Sequence, residues 1–205
     1  YEDELIYRDV QLVNFSVKLG TSFSELEVNY KDQTSPLYYV KYALVDQPDQ
    51  YLTVATTRPE PIFVDTHLAI HPDDAKNRQY IGKKVRNPIT DMEMTLIADH
   101  FVDPDFGTGI VKLTPAHDRN DFEAAKRHGL PIIQAIDTRG RIMAHGGKYA
   151  GLNVEEARKQ VVHDLTEKGL IEKVNLEYKN RVGYCYKTDR PIELIPFPQF
   201  FIKVR

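Results

Sequence analysis

Five residues able to do chemistry, Lys112, Thr114, His117, Asp118 and Asp121, fall within ten positions of one another in the stretch Gly107-Thr108-Gly109-Ile110-Val111-Lys112-Leu113-Thr114-Pro115-Ala116-His117-Asp118-Arg119-Asn120-Asp121. A glycine turn leads into a strand, and Thr114-Pro115 ends the strand and opens a helix. Alternation places Ile110, Lys112 and Thr114 on one face and Val111 and Leu113 on the other. An amine and a hydroxyl therefore lie close to where Asp118 and Asp121 begin the helix, whose free N–H groups and positive dipole end add further donors. Such a group suits a small polar substrate with a water beside it. A plainer reading also stands: Asp118 as an N-cap, Asp121 as the acid that commonly follows, Lys112 reaching water, and His117 a satisfied structural residue. Lys112 weighs against it, because an ammonium in an otherwise apolar strand is costly unless it meets an acid or an open pocket.

A second segment, Thr56-Thr57-Arg58-Pro59-Glu60, stands at the end of another strand. Two hydroxyls and a guanidinium leaving a sheet edge could grip phosphate or ribose oxygens. Alternatively, the threonines follow β-propensity and Arg58 pairs with Glu60. Other constellations fail. There is no Gly-x-x-x-x-Gly-Lys phosphate loop, no Gly-x-Ser-x-Gly elbow and no dinucleotide fingerprint. His67 and His71 are four apart, but Pro72 argues against a helical metal pair. The single cysteine, Cys185, excludes an internal disulfide and a cysteine-rich zinc site.

The elements that must position these groups read as mostly strand with helices inserted. Leu37–Val45 carries Tyr38, Val40, Tyr42 and Leu44 at period two, and 52–57 is a second β-favouring run closed by Arg58-Pro59. Residues 83–89, 94–98, 109–113 and 130–136 read as shorter strands. Three helices are expected. One starts at Pro72-Asp73-Asp74 and ends before Gly82, and one runs from Asp118 to His128 and closes at Gly129. The third is capped by Asn153 with Glu156 completing a capping box and Val154, Ala157, Val161 and Leu165 forming one stripe. The expected class is α+β: a barrel-like domain in which helices pack around a curved, mostly antiparallel sheet. A doubly wound parallel sheet fits less well, since too few strands are followed by a crossover helix.

The 205 residues suffice for a real core, and 41% hydrophobic with 28% charged residues fits a folded, soluble chain. Lys and Arg total 27 against 30 Asp and Glu, a net charge of -3, which argues against a strongly basic nucleic-acid wrapper. No apolar run approaches the roughly 18 residues of a membrane span, so no membrane partner is expected. The opening Tyr1-Glu2-Asp3 and the ending Lys203-Val204-Arg205 read as the edges of a piece of a longer protein.

Taken in order, several segments resemble the inserted editing domain of the valyl-tRNA synthetases, a class I aminoacyl-tRNA synthetase family. They are Leu12-Val13-Asn14-Phe15, Ala55-Thr56-Thr57-Arg58-Pro59-Glu60, Ala69-Ile70-His71-Pro72-Asp73-Asp74, the 107–121 block, and Phe197-Pro198-Gln199-Phe200-Phe201. The resemblance covers nearly the whole chain, and Lys-x-Thr-Pro-Ala-His-Asp-x-x-Asp is its most specific part. Leucyl relatives usually carry an apolar residue where Lys112 stands, and isoleucyl relatives depart within both blocks. The synthetic-site signatures His-Ile-Gly-His and Lys-Met-Ser-Lys-Ser are absent.

The resemblance implies post-transfer editing, the hydrolysis of threonine mis-attached to valine tRNA. The need is physical. An apolar pocket that fits valine rejects near-isosteric threonine only weakly, a point for which valyl enzymes are themselves the standard example. It implies catalytic roles for Lys112, Asp118 and Asp121, with Thr56, Thr57, Arg58, Thr114 and His117 binding substrate. Asp121 and Asp118 would take the ammonium and the hydroxyl, while Arg58 and the threonines would hold the terminal adenosine. The implied partners are the tRNA 3′ acceptor end, its threonyl group and the remainder of a parent synthetase. Residues 1–205 would be a single editing domain, with 1–35 and 178–205 joining it to that parent. No metal or cofactor is implied in the domain itself, ATP and Mg belonging to the parent, and a cytoplasmic location follows. Two alternatives accompany it: a leucyl- or isoleucyl-type editing domain, and a catalytically weakened module that docks the acceptor end. Two departures matter. The family usually reads Arg-Pro-Glu-Thr, but Pro61 follows Glu60 here. Relatives with a zinc knuckle carry paired cysteines where this chain has Ser16, Leu19, Cys185 and Thr188, so no zinc is expected.

Overall fold

Strands longer than the sequence pattern suggests build the frame of this computed structural model, which describes residues 6–203. β3 (Val28–Ala43) pairs antiparallel with β9 (Ile171–Cys185) and with β4 (Tyr51–Thr56), giving the order β4-β3-β9. The expected period-two positions Val40, Tyr42 and Leu44 are indeed buried, with Tyr38 packed against them. β3 reaches back to Val28 because β9 continues to pair with it, through a register shift between Ser35 and Leu37.

β1 (Ile6–Ser16) lies between β10 (Glu193–Ile202) and β2 (Thr21–Phe23) in a second antiparallel sheet. The third sheet has the order β6-β7-β5-β8, formed by Lys84–Arg86, Glu93–Ala98, His67–Ile70 and Ile110–Leu113. In it β5 and β7 run parallel, whereas every other strand pairing is antiparallel. The α+β class holds. The barrel does not close: the β4-β3-β9 and β6-β7-β5-β8 sheets meet through the Leu44–Val85 bridge and the approach of β4 to β8, and the β10-β1-β2 sheet stays separate from that seam.

Two of the three expected helices form. α1 (Arg119–His128) is capped by Asp118, whose Oδ1 accepts from the N–H groups of Asn120 at 2.8 Å and Asp121 at 3.1 Å. Gly129 closes it at φ 64°, a conformation only glycine adopts freely. α2 (Val154–Glu167) carries the expected Asn153/Glu156 capping box and buries Ala157, Val161 and Leu165. The helix expected from Pro72 to before Gly82 is instead a series of turns with a short 3-10 segment at Arg78–Tyr80. Asp74 accepts the N–H groups of Lys76 and Asn77, and Asn77 donates onward to the Thr108 carbonyl, so side chains take bonds a helix would need. The strand expected at 130–136 is irregular, because Ala135 and Ile136 direct their N–H groups at His117 Nε2 rather than at a neighbouring strand. The 83–89 run stops at Arg86, where Asn87 Oδ1 turns the chain by accepting from Ile89 and Thr90.

The main core lies between the second half of β3, β4, β5, β7 and α2, with Val40, Val54, Leu68, Ile70, Val161 and Leu165 fully buried. A smaller cluster, Ala69, Val102 and Leu113, lies on the other face of the third sheet. Ile110 belongs to the first and Val111 and Leu113 to the second, as alternation along β8 requires.

Candidate active site

The ends of β4 and β8 lie side by side, and the chain beyond each turns into the pocket wall. Beyond β4, Thr56 Oγ1 accepts the Arg58 N–H at 3.0 Å, a turn that bends the Thr56-Thr57-Arg58 segment away from the sheet. Beyond β8, the Thr114 N–H donates to Asp121 Oδ2 at 2.8 Å, which fastens the strand end to the first turn of α1. Between them is a cavity of about 160 Å³ lined by Thr56, Thr57, Arg58, Lys112, Thr114, His117, Asp118 and Asp121, with Ala55, Pro61 and Val111. All eight residues singled out from the sequence meet there. Pro61, which has no N–H to offer, also forms part of this wall.

Lys112 meets both an acid and the pocket. Its ammonium lies 3.3 Å from Asp65 Oδ1 and donates to Thr114 Oγ1 as well. Asp65 is further held by the Thr114 hydroxyl at 2.6 Å and the Tyr42 hydroxyl at 2.8 Å. Burial pushes the Asp65 carboxyl above its ordinary range, against the pull of Lys112 and the two hydroxyls. Sequence reading missed Asp65. The available signal was an acid directly after the buried run Ile62-Phe63-Val64.

Asp121 is the most perturbed carboxyl in the pocket. Only 5% exposed, it is pushed up to about 8 by burial first and by the neighbouring Asp118 charge second, with Lys112 opposing. Near neutrality it therefore exchanges readily between acid and carboxylate. Asp118 is exposed and spends one oxygen on the helix cap, leaving the other free.

Arg58 and His117 are engaged on their far sides. Arg58 Nε donates to Glu60 at 2.9 Å and one Nη donates to Glu193 at 2.7 Å. Burial disfavours the Arg58 charge, but Glu193 and then Glu60 outweigh it and hold the guanidinium charged. Glu60, fully buried, also accepts from Arg158 on α2 at 2.8 and 3.0 Å. Burial would raise the Glu60 carboxyl, yet Arg58 and Arg158 bring it down to about 2. His117 Nε2 accepts from Ala135 N–H at 2.8 Å, so the ring is neutral and donates from Nδ1 to the Leu194 carbonyl at 2.8 Å. Burial and then Arg58 lower His117 to about 3. Both ring nitrogens are thus committed to the backbone, and His117 borders the cavity as a strut rather than as a donor to a ligand.

A larger groove of about 520 Å³ adjoins the small cavity and shares Thr57, Arg58, His117 and Asp118 with it. Tyr30, Asn180, Arg119, Arg158, Arg181 and Glu193 are among the residues that line its remainder, a mixture of aromatic, amide, cationic and acidic groups. Outside both spaces, His71, Asp73 and His100 bring candidate ligand atoms within 4.8 Å of one another; His67 is not among them.

The model of the leucyl-tRNA synthetase editing domain matches residues 72–166. The chain is 44% identical over 205 residues to the valine–tRNA ligase of Thermotoga maritima, covering all of this chain and 24% of that protein. The chain belongs to the editing-domain family of the valine–tRNA ligases. It is likewise 40% identical over 204 residues to the valine–tRNA ligase of Geobacter sulfurreducens, and 44% over 205 residues to that of Carboxydothermus hydrogenoformans, in each case covering 23% of the relative. The editing domain thus spans about a quarter of the length of the curated relatives it matches. Among its described residues no helix is long and apolar enough to cross a membrane.

Proposed function

We propose that this editing domain hydrolyses the ester of threonine mis-attached to valine tRNA, acting in the cytoplasm beside the rest of a synthetase. The observation that carries this reading is a small polar cavity, holding Asp121, Thr114 and Lys112, that opens beside a longer groove. The cavity is on the scale of one small amino acid, and the groove can take a nucleotide end.

The ammonium of the threonyl group pairs with Asp121. Binding draws the carboxyl into its charged form, because an opposite charge reverses the effect of burial. The free oxygen of Asp118 or the Thr114 hydroxyl takes the threonine hydroxyl. Valine would forgo this added hydrogen bond and set a methyl against a polar wall, which is how the site prefers the hydroxylated substrate. Lys112 spends two of its three N–H groups on Asp65 and Thr114, and the third supports the oxyanion that forms. Arg58 and the threonines of β4 hold the terminal adenosine. A water oxygen bonds to the ester carbon and the ester C–O bond breaks. The ribose oxygen released from the ester takes one water proton and becomes a hydroxyl, and threonine leaves as its free acid with the remaining OH. The step needs only water, and no metal or cofactor enters it.

Deacylation of threonyl-tRNA(Val) by the full-length protein carrying this chain tests the reading. Asp121→Asn should slow it at least about a hundredfold, as loss of a charged substrate contact does. Unchanged hydrolysis would reject the site. A panel of mischarged tRNAs separates leucyl and isoleucyl specificity. Binding of the acceptor end without turnover would point to a docking module, a reading favoured by Pro61 in the cavity wall.

A further inference from the structure

The wall between the cavity and the groove is held from a sheet that contributes none of the catalytic groups. Glu193 and Leu194 are consecutive residues of β10, paired with Phe15 and Asn14 of β1. Glu193 Oε2 accepts from Arg58 at 2.7 Å, and the Leu194 carbonyl accepts from His117 at 2.8 Å. The paired strand adds a third link, since Asn14 Oδ1 accepts from Arg119 at 2.7 Å. We propose that Glu193 is a positioning residue for Arg58, aiming the free edge of its guanidinium at the nucleotide end of the substrate. The inference rests on the hydrolase reading above and assigns β10 a part in it.

Charge counting supports the assignment. Arg58, Arg158, Glu60 and Glu193 form a balanced group, two guanidiniums and two carboxylates. Glu60 alone is shared between both arginines. Without Glu193 the group carries one excess positive charge beside a buried carboxylate, and Arg58 and Arg158 repel. Arg58 and Arg158 are 31% and 35% exposed on their side chains and both line the groove, but only Arg58 also borders the small cavity. Two bonds fix the guanidinium plane as one cannot, leaving three of its five N–H groups for a ligand.

The test measures threonyl-tRNA(Val) hydrolysis by the full-length protein with E193A, E193Q, R58K and the E193A/R58K pair. E193A should raise KM about tenfold with kcat within about twofold, as expected for loss of a contact that orients bound substrate. E193Q, which keeps the shape and an acceptor oxygen without the charge, should fall between E193A and wild type. In the R58K background E193A should add nothing, because a lysine cannot bridge both carboxylates. A fall in kcat at unchanged KM, or additive effects of the two substitutions, would overturn the proposal. Binding of non-hydrolysable 3′-threonylamino-adenosine separates the two claims. Wild-type protein that binds it without hydrolysing the ester sinks the hydrolase reading, and the tenfold loss of affinity in E193A then decides Glu193 alone. Wild-type protein that neither binds nor hydrolyses overturns both.

Discussion

Asp65 and Lys112 face each other at 3.3 Å beneath the cavity, and neither has another charge of opposite sign within bridging distance among the described residues. The pair sits in the interior with the Thr114 and Tyr42 hydroxyls as its only other side-chain partners among the described residues. A lone buried charge is far more costly than the pair.

Asp65→Ala should therefore destabilise the fold by about 3–5 kcal/mol, since it strands the Lys112 ammonium. Lys112→Met, which removes the charge while filling the space, should cost less when Asp65 is also changed to Ala. Urea unfolding of the two single variants and the double variant measures this. Equal, additive losses would mean that the two charges do not depend on each other.

Asp121 makes stability depend on pH in the direction opposite to most carboxylates. Its folded-state value, about 8, lies above the ordinary 3.8. The folded protein holds the proton more tightly, so this contribution is full below about pH 4 and is lost as pH rises through 8. Asp121→Asn should be more stable than wild type by roughly 1–3 kcal/mol at pH 8.5, with the gain vanishing toward pH 4, while hydrolysis is lost. Thermal melts across that range give the answer. A gain independent of pH would show that Asp121 is not the titrating group.

His117 contributes on the acid side. Its folded value of about 3 lies below the ordinary 6.5, so its stabilisation is present above pH 6.5 and is lost as pH falls toward 3. His117→Ala should lower stability by about 2–4 kcal/mol at pH 7, because the Leu194 carbonyl and the Ala135 N–H lose their buried partner. The acid limb of the stability curve should flatten in the variant. An unchanged limb would place the acid sensitivity elsewhere.

Pro61→Thr restores a hydroxyl to the cavity wall. One added hydrogen bond to a bound threonyl group is worth about 0.5–1.5 kcal/mol, so threonyl ester hydrolysis should improve roughly two- to tenfold in kcat/KM. Stability should fall by about 0.4–1 kcal/mol as the unfolded chain regains freedom. Unaltered kinetics with all substrates would show that this edge of the wall does not touch the amino acid.

Local signals accounted for much of the architecture. The α2 capping box, the Asp118 cap, Gly129 and the alternation along β3 and β8 are short-range features, and each formed where the residues required. The failures share one cause. At 72–81 the helix signals were real, but Asp74 and Asn77 spend themselves on turn N–H groups and on the Thr108 carbonyl. At 130–136 Ala135 and Ile136 give their N–H groups to His117, a partner 18 and 19 positions away.

The candidate site divides in the same way. Residue types and spacing were enough to bring Lys112, Thr114, Asp118 and Asp121 together, because a strand end and the next helix turn are neighbours in the chain. Only packing between separate sheets could set the second half of the site: Asp65 under Lys112, Arg158 on Glu60, and Glu193 and Leu194 behind Arg58 and His117. Those partners stand between 47 and 135 positions away or on a different element. No periodicity or cap links them. Burial does, since each charge removed from water must find its counterpart wherever the fold delivers one.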